Sequence, residues 1–450
     1  MGTLRPCKKF GIMALTRLRF DMVILIAIIL LCILLAIGVS VPLAFGAVLI
    51  LLAYTGGYDV SGFFATGHWK MNSVILLAIP LFILAGNIMN RGKIAKPIVE
   101  IAELFFGHLR GGLSAAAVVA SAMFGAISGS GAATLTCIGS IIMPHLRKAR
   151  YPEGISAALV ISASPLGLLI PPSAAQLLYA WIGQLSVLKC FLATVIPGLI
   201  LTTLLILVNF FILRNNDTIR ITKVPQRFFQ KLGKKTAIAT PAILMPMIIL
   251  GGIYGGIMTP TEAAGVAVIY AIPVGFFVYR GLTLNVFYEC LKESSITIGV
   301  VMAMIFTVLV ASRFLIFEDI PGMAEDLIYS ISENPIVVIL LINLVMLLIG
   351  MLMDDISGII LSASLLLPIA EGAGMDPIHF AAVLGVNLGM GNITPPTAPL
   401  LYLGAQVTDV PIRKLISPTL IFIIFAWLPT LMLTTFLPDV ALWLPDLLLG

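Results

Sequence analysis

The chain has 450 residues, 60% of them hydrophobic and 10% charged, with a mean hydropathy of +1.11. That balance excludes an ordinary soluble domain, and a formal charge of +5 on so apolar a background does not make a nucleic-acid binder. The apolar blocks predict an all-α polytopic membrane protein embedded in the lipid bilayer. They amount to roughly a dozen spans plus shorter pieces too brief to cross, and the alternation of a membrane β-barrel is absent.

Residues 1–21 carry Arg5, Lys8, Lys9, Arg17 and Arg19 ahead of the first apolar run, "MVILIAIILLCILLAIG" at 22–38. No small-residue cleavage site closes that run, which continues into "VPLAFGAVLILLAY". The expectation is a retained first span behind a basic cytoplasmic extension. Further on, "RGKIAKPIVEIAELFFGHLRGG" (91–112) has the spacing of an amphipathic helix lying along the interface, scaffold rather than site.

Two irregular elements follow. "FGAISGSGAATLTCIGSIIMP" (124–144) sets Ser128-Gly129-Ser130-Gly131 between short apolar arms and reads as a re-entrant hairpin. In "LLIPPSAAQ" (168–176), Pro171-Pro172 breaks the helix expected over 155–187, because proline has no amide hydrogen and clashes with the preceding turn. Such a break is costly in a bilayer unless protein or a water-filled cavity covers it. The run "LILTTLLILVNFFIL" (199–213) closes this part. Residues 214–235 then carry seven basic residues against Asp217 alone, a strong cytoplasmic loop.

Shifted by 224 positions, the sequence lands on itself. Pro144 meets Pro368, Gly167 meets Gly391, and Pro171-Pro172 meets Pro395-Pro396. A six-residue adjustment also sets "SVPLAFG" (40–46) against "MTPTEAAG" (258–265). In the second copy, "IGMLMDDISGIILSASLLLP" (349–368) puts Asp354-Asp355 at the hairpin tip, and "NITPPTAPL" (392–400) breaks a helix near 379–408. Charge separates the copies. The first has basic joints at Arg91, Lys93, Lys96, Arg110, Arg147, Lys148 and Arg150; the second has Glu318, Asp319, Glu325, Asp326, Glu371 and Asp376. Basic residues collect on cytoplasmic loops, so the copies run in opposite directions, as in the inverted repeats of secondary transporters. The expected organisation is a first repeat at 22–213, a linker at 214–235, a second repeat at 236–436 with its hairpin near 349–370, and a C-terminal tail at 437–450.

A helical carbonyl accepts from the amide four residues ahead. The prolines therefore predict freed carbonyls at Gly167 and Leu168, and at Gly391 and Asn392. Carbonyls suit a hard cation such as Na⁺ and half-helix N-termini suit an anion. Ser173, Thr394 and Thr397 add hydroxyl oxygens beside the breaks. Two adjacent acids in an apolar setting, Asp354 and Asp355, point to function, although a tip that merely reaches water is the alternative. Glu262, in "TPTE", fits either a helix cap or ion coupling.

The remaining polar chemistry is sparse. Cys7, Cys32, Cys137, Cys190 and Cys290 lack metal or redox spacing, the histidines (68, 108, 145 and 379) are scattered, and neither a P-loop nor HExxH or GxSxG occurs. The expectation is a protein that is not an enzyme and binds no transition metal. An ion-translocating subunit of a larger complex is the rival reading.

The order "GAISGSGAA", "IPPSA", "GIMTPTEAAGVAVIYA", "GMLMDD", "ITPPTAP" resembles the large permease subunit of tripartite ATP-independent periplasmic (TRAP) transporters, over nearly the whole chain from about residue 22. The resemblance implies a sodium-driven, elevator-type importer of an organic acid, such as sialic acid or a C4-dicarboxylate, in the bacterial inner membrane. Its implied partners are a small four-helix membrane subunit and a periplasmic substrate-binding protein. Carried over to this chain, Na⁺ and substrate contacts fall at Ser128, Ser130, Ser173, Asp354, Asp355, Thr394 and Thr397, joined by the carbonyls of Gly167 and Gly391. The chain departs from the family pattern at Thr134, where many relatives have Asp, and at Ile356-Ser357.

Overall fold

The computed structural model describes residues 23–450, apart from 24, 25, 28, 32, 35, 36, 57–59 and 221–227. The basic extension 1–21, Cys7, Cys32 and the middle of the linker lie outside the described residues. Every regular element among the described residues is helical. Eight helices are long and apolar enough to cross a membrane, or nine if Glu153–Leu169 and Ala174–Ile182, bent by 42° at their break, are taken as one span. This is fewer than the dozen expected from apolar blocks, because several blocks form half-helices and shorter helices.

A flanking layer consists of Val41–Gly56, Val60–Met71, Ala78–Arg91, Phe228–Tyr254, Pro260–Pro273 and the 34-residue helix Leu284–Phe317, which pack on one another. At 1.5 Å per residue the last is ~50 Å long, more than the hydrocarbon core requires. Its start is fixed by Thr283, whose hydroxyl accepts from the Val286 amide at 3.3 Å. Pro260–Pro273 begins with a capping box: the Thr259 amide donates to Glu262 Oε2 at 2.8 Å, and the Glu262 amide donates to Thr259 Oγ1 at 3.3 Å. Glu262 thus serves the helix start. The amphipathic segment forms Ala95–Phe106, burying Ile98, Val99, Ile101 and Ala102 while Lys96 is exposed.

Two hairpins and two broken helices make the inner body. The first hairpin pairs Gly112–Ser128 with Gly131–Lys148, and the second pairs Pro335–Leu352 with Asp355–Gly372. Their arms have 17 or 18 residues, longer than the short arms expected around 124–144 and 349–370. The reason lies upstream of each tip: "LSAAAVVASAM" and "PIVVILLINLVM" contain no helix breaker beyond their first residue. The first broken helix runs through Glu153–Ala163 and Leu166–Leu169 to Ala174–Ile182; the second joins Pro377–Gly391 to Pro399–Thr408. The segment expected as a C-terminal tail forms Asp439–Leu449, which packs on Val187–Leu213.

The halves brace each other crosswise. Gly131–Lys148 packs on Pro399–Thr408, and Asp355–Gly372 packs on Ala174–Ile182. Arg147 Nη2 donates to the Thr408 carbonyl at 2.7 Å, closing the C-terminal end of the second broken helix. Trp427 is fully buried against Gly389, and its Nε1 donates to the Ser162 carbonyl at 3.1 Å.

The joints gather at two ends. The Arg220 amide donates to the Ala149 carbonyl at 2.9 Å and Arg110 pairs with Asp217 at 3.0 Å, which ties the linker to the joint at 145–151. A Cβ built on Gly372 would lie 3.6 Å from Glu325 Oε1 and 3.7 Å from the Tyr329 hydroxyl, so the joints near 318–333 and 371–377 are neighbours. The first broken helix leaves the 145–151 end at Glu153. It finishes at Ile182, which lines the same cavity as Glu371. Equivalent joints of the two copies therefore stand at opposite ends of this span.

Candidate functional site

Each hairpin tip is pressed onto the broken helix of its own half through glycine. Gly129 has φ +60°, a backbone state glycine adopts without strain, and a Cβ there would meet the Pro172 carbonyl oxygen at 2.7 Å. A Cβ on Gly167 would meet the Ser130 carbonyl oxygen, also at 2.7 Å. In the second half Gly350 and Gly391 meet backbone to backbone. The Pro171–Pro172 and Pro395–Pro396 peptides are both cis.

Where the tips converge there is a cavity of about 240 Å³. It is lined by Ser128 and Ser130 of the first tip, Asp354 and Asp355 of the second, Asn392 beside the second break, and Thr297 of the long flanking helix. Among the described residues lining it there is no Lys, Arg or His. Ser128, Ser130 and Thr297 also line an adjoining vestibule of about 700 Å³, walled by Asn87, Asn90, Thr136, Ser140 and the ion pair of Arg91 with Glu293.

The tip hydroxyls form a local network. Ser128 Oγ lies 3.0 Å from Thr134 Oγ1, which donates to the Ser130 carbonyl at 2.8 Å, and Ser130 Oγ caps the following helix by accepting from the Ala133 amide at 3.5 Å. Asp354 caps Asp355–Gly372 with Oδ2, which accepts from the Ile356 amide at 3.1 Å. Its Oδ1 is buried without a hydrogen-bond partner. Asp355 accepts a hydrogen bond from Asn392 Nδ2, leaving Asn392 Oδ1 unpartnered as well. Buried oxygens of this kind are costly unless something meets them; the residues that carry them, Asp354 and Asn392, both line the cavity, and such a set of hard oxygen donors fits a cation such as Na⁺.

The other expected site residues lie just behind this cavity. Ser173 is fully buried and caps Ala174–Ile182, accepting from the Gln176 amide at 3.5 Å; Ala174 and Ala175 reach the cavity in its place. Thr394 Oγ1 donates to the Met390 carbonyl at 2.6 Å, and Thr397 Oγ1 is buried without a partner away from the lining. Gly167 and Gly391 act as contact points under the tips. The expectation of freed carbonyls at the second break needs correction: Gly391 O accepts from the Thr394 amide and Asn392 O from the Leu400 amide, both at 3.0 Å. The chain closes into a turn there instead of leaving the break open, and only the second lone pair of each carbonyl is left for a cation.

The Asn392 side chain and Thr297 were not singled out from sequence. Asn392 had a signal, a polar residue three positions ahead of the proline pair; Thr297 sits in "SSITIGVV" with no pattern to mark it.

Comparison with known proteins gives this constellation its context. Residues 26–440 match the family model described as "Tripartite ATP-independent periplasmic transporter, DctM component". The chain belongs to that family. It is 33% identical over 414 residues to the sialic acid TRAP transporter large permease protein SiaM of Vibrio cholerae, covering 91% of this chain and 96% of SiaM. It is 36% identical over 371 residues to the C4-dicarboxylate TRAP transporter large permease protein DctM of Pseudomonas aeruginosa, covering 82% of this chain and 86% of that one. The crystal structure of the Alcanivorax borkumensis YdaH transporter shares the fold, with a TM-score of 0.57, 14% identity, and coverage of 84% of this chain and 86% of that one. The chain is therefore a TRAP large permease: a multi-pass membrane transport protein and not an enzyme.

Proposed function

We propose that this TRAP permease imports an organic acid anion coupled to Na⁺, with both held where the hairpin tips converge. The carrying observation is the cavity wall itself. Asp354 and Asn392, each with a buried unpartnered oxygen, line a space whose described lining has no basic side chain. An anion entering alone would meet two carboxylates. With Na⁺ bound at those oxygens the repulsion is offset, and the starts of Gly131–Lys148 and Ala174–Ile182 present positive helix ends. Bound together the two charges are tolerated; apart they are not, and that difference is the coupling. Asp354 and Asn392 would hold the ion while Asp355 fixes the Asn392 side chain, Ser128 and Ser130 would donate to the acid, and Thr297 would face it from the flanking layer.

In this reading the inner body moves as an elevator against the flanking helices. The joints at 145–151 and 214–235 face the cytoplasm of an inner membrane, and those at 318–333 and 371–377 face the periplasm. A small four-helix membrane subunit and a periplasmic substrate-binding protein complete the machine. The acid is of the kind named for the relatives, sialic acid or a C4-dicarboxylate. Uptake of each acid into proteoliposomes, with and without an inward sodium gradient and a periplasmic binding protein, tests the reading. Sodium flux that runs at full rate without any acid would instead make the chain an ion-translocating subunit.

A further inference from the structure

At the far end of the first broken helix, away from the basic linker, lies a cavity of about 980 Å³ between the flanking layer and the inner body. Its charged lining is Lys70 and Arg313 from the flanking layer and Glu371 from the second hairpin, so two positive groups face one negative. Neither Lys70 nor Arg313 has an ion-pair partner among the described residues. Trp69 and Trp181 supply aromatic walls, and Trp181 Nε1 donates to Ser73 Oγ at 3.1 Å, pinning the broken helix to the flanking layer at the rim.

Arg313 is the anomaly. It stands in "VLVASRFLIF", the last turns of a 34-residue apolar helix, where a charge is costly unless it faces a cavity with work to do. Arg313 and Lys70 also sit at the end that carries Glu325, Asp326 and Glu371, against the bias that keeps basic residues on the other side of a membrane. Topology setting therefore does not account for them.

We propose that this cavity is an anion-collecting site, in which Lys70 and Arg313 hold a small carboxylate before it reaches the central cavity. The proposal deepens the import reading and rests on it for the identity of the anion. Its volume suits a small organic acid. Gln184, Asn72 and the Glu371 carboxylate offer hydrogen-bond partners for hydroxyl or amide groups on the same molecule. The central cavity has no cationic side chain of its own among its described lining residues, so the charge that draws the acid in is supplied at this outer chamber.

The indoles of Trp69 and Trp181 make the test independent of transport. In a Trp443→Phe background, which removes an exposed indole elsewhere and leaves Trp427 in the core, quenching by iodide is compared with quenching by neutral acrylamide. Lys70→Gln with Arg313→Gln should lower the iodide quenching constant by about twofold or more, with acrylamide unchanged, because the local anion excess is lost. Succinate or N-acetylneuraminate should protect against iodide in the parent and not in the double variant. In uptake assays the same variant should raise the half-saturating acid concentration several-fold and leave the half-saturating sodium concentration unaltered. Unchanged iodide quenching in the double variant overturns the proposal, and combined with weaker stimulation by the binding protein it would make the two cations a protein-docking contact. Failure of uptake with every acid, alongside lost iodide quenching, would count against the import reading while leaving an anion site in place.

Discussion

The backbones of Gly350 and Gly391 touch: a methyl group added to Gly391 would come within 2.8 Å of the Gly350 Cα. One residue lies in an arm of the second hairpin and the other at the end of a broken half-helix, so this contact seats the acidic tip beside the Pro395-Pro396 break. Gly125 and Gly167 do the same in the first half, with a Cβ on Gly125 2.8 Å from the Gly167 Cα.

Gly391→Ala should therefore destabilise the protein by about 1–3 kcal/mol, the usual cost of overpacking, because both contacting surfaces are backbone and cannot rotate away. Gly251→Ala is the control: it sits in a helix with open space around it, and alanine there gains helix propensity of about 1 kcal/mol. Melting in detergent should fall for the first variant and hold or rise for the second. Equal melting temperatures would show that the tip is not seated on this contact.

Neutralising the two acids should have unequal effects. Asp354 lines the cavity and has a buried unpartnered oxygen, whereas Asp355 is engaged by Asn392. We expect Asp354→Asn to raise the half-saturating sodium concentration about tenfold, equivalent to ~1.4 kcal/mol, with normal membrane insertion. Asp355→Asn should disturb stability more than sodium affinity. An unaltered sodium response in both variants would leave the tip as a solvated turn.

The proline pairs should also differ from each other. Replacing Pro171 and Pro172 with alanine restores amides that can reach the carbonyls of Gly167 and Leu168 and removes a residue type costing about 3 kcal/mol in a helix interior. The half-saturating sodium concentration should rise while stability holds. At Pro395 and Pro396 the matching carbonyls are already bonded to Thr394 and Leu400, so the same replacement should change sodium affinity less. A larger effect at the second pair would refute this ordering.

Topology is open to direct labelling. With the native cysteines replaced, Asp217→Cys should react with a membrane-impermeant thiol reagent only from the cytoplasmic side, and Glu333→Cys only from the periplasmic side. Labelling of both from one side would contradict the proposed orientation.

Much of the site was legible because breaks are conspicuous in an apolar sequence. Pro171-Pro172, Pro395-Pro396, the small residues from Ser128 to Gly131 and the Asp354-Asp355 pair all mark themselves, and the structure brings Ser128, Ser130, Asp354 and Asp355 to one cavity. Arm lengths were not legible, since "LSAAAVVASAM" reads equally well as hairpin or span. Thr297 was hidden for another reason: its role depends on a helix more than fifty residues away in sequence from either tip happening to face them, and no local spacing encodes that. The Gly391 and Asn392 carbonyls show the limit of counting hydrogen bonds along a helix. A turn supplied amides from Thr394 and Leu400 that helical register does not foresee.

The crosswise packing has a further consequence. Gly131–Lys148 lies against Pro399–Thr408 and Asp355–Gly372 against Ala174–Ile182, so each hairpin packs on its own half's broken helix and also lends an arm to the other's. Severed within the linker, neither fragment would carry a whole binding chamber, yet the two expressed together have every surface required to find each other. Trp427 would reach across to Ser162, and Arg147 across to Thr408. On that view the two halves would act as an obligate pair, and translation as one chain would keep them at a one-to-one ratio.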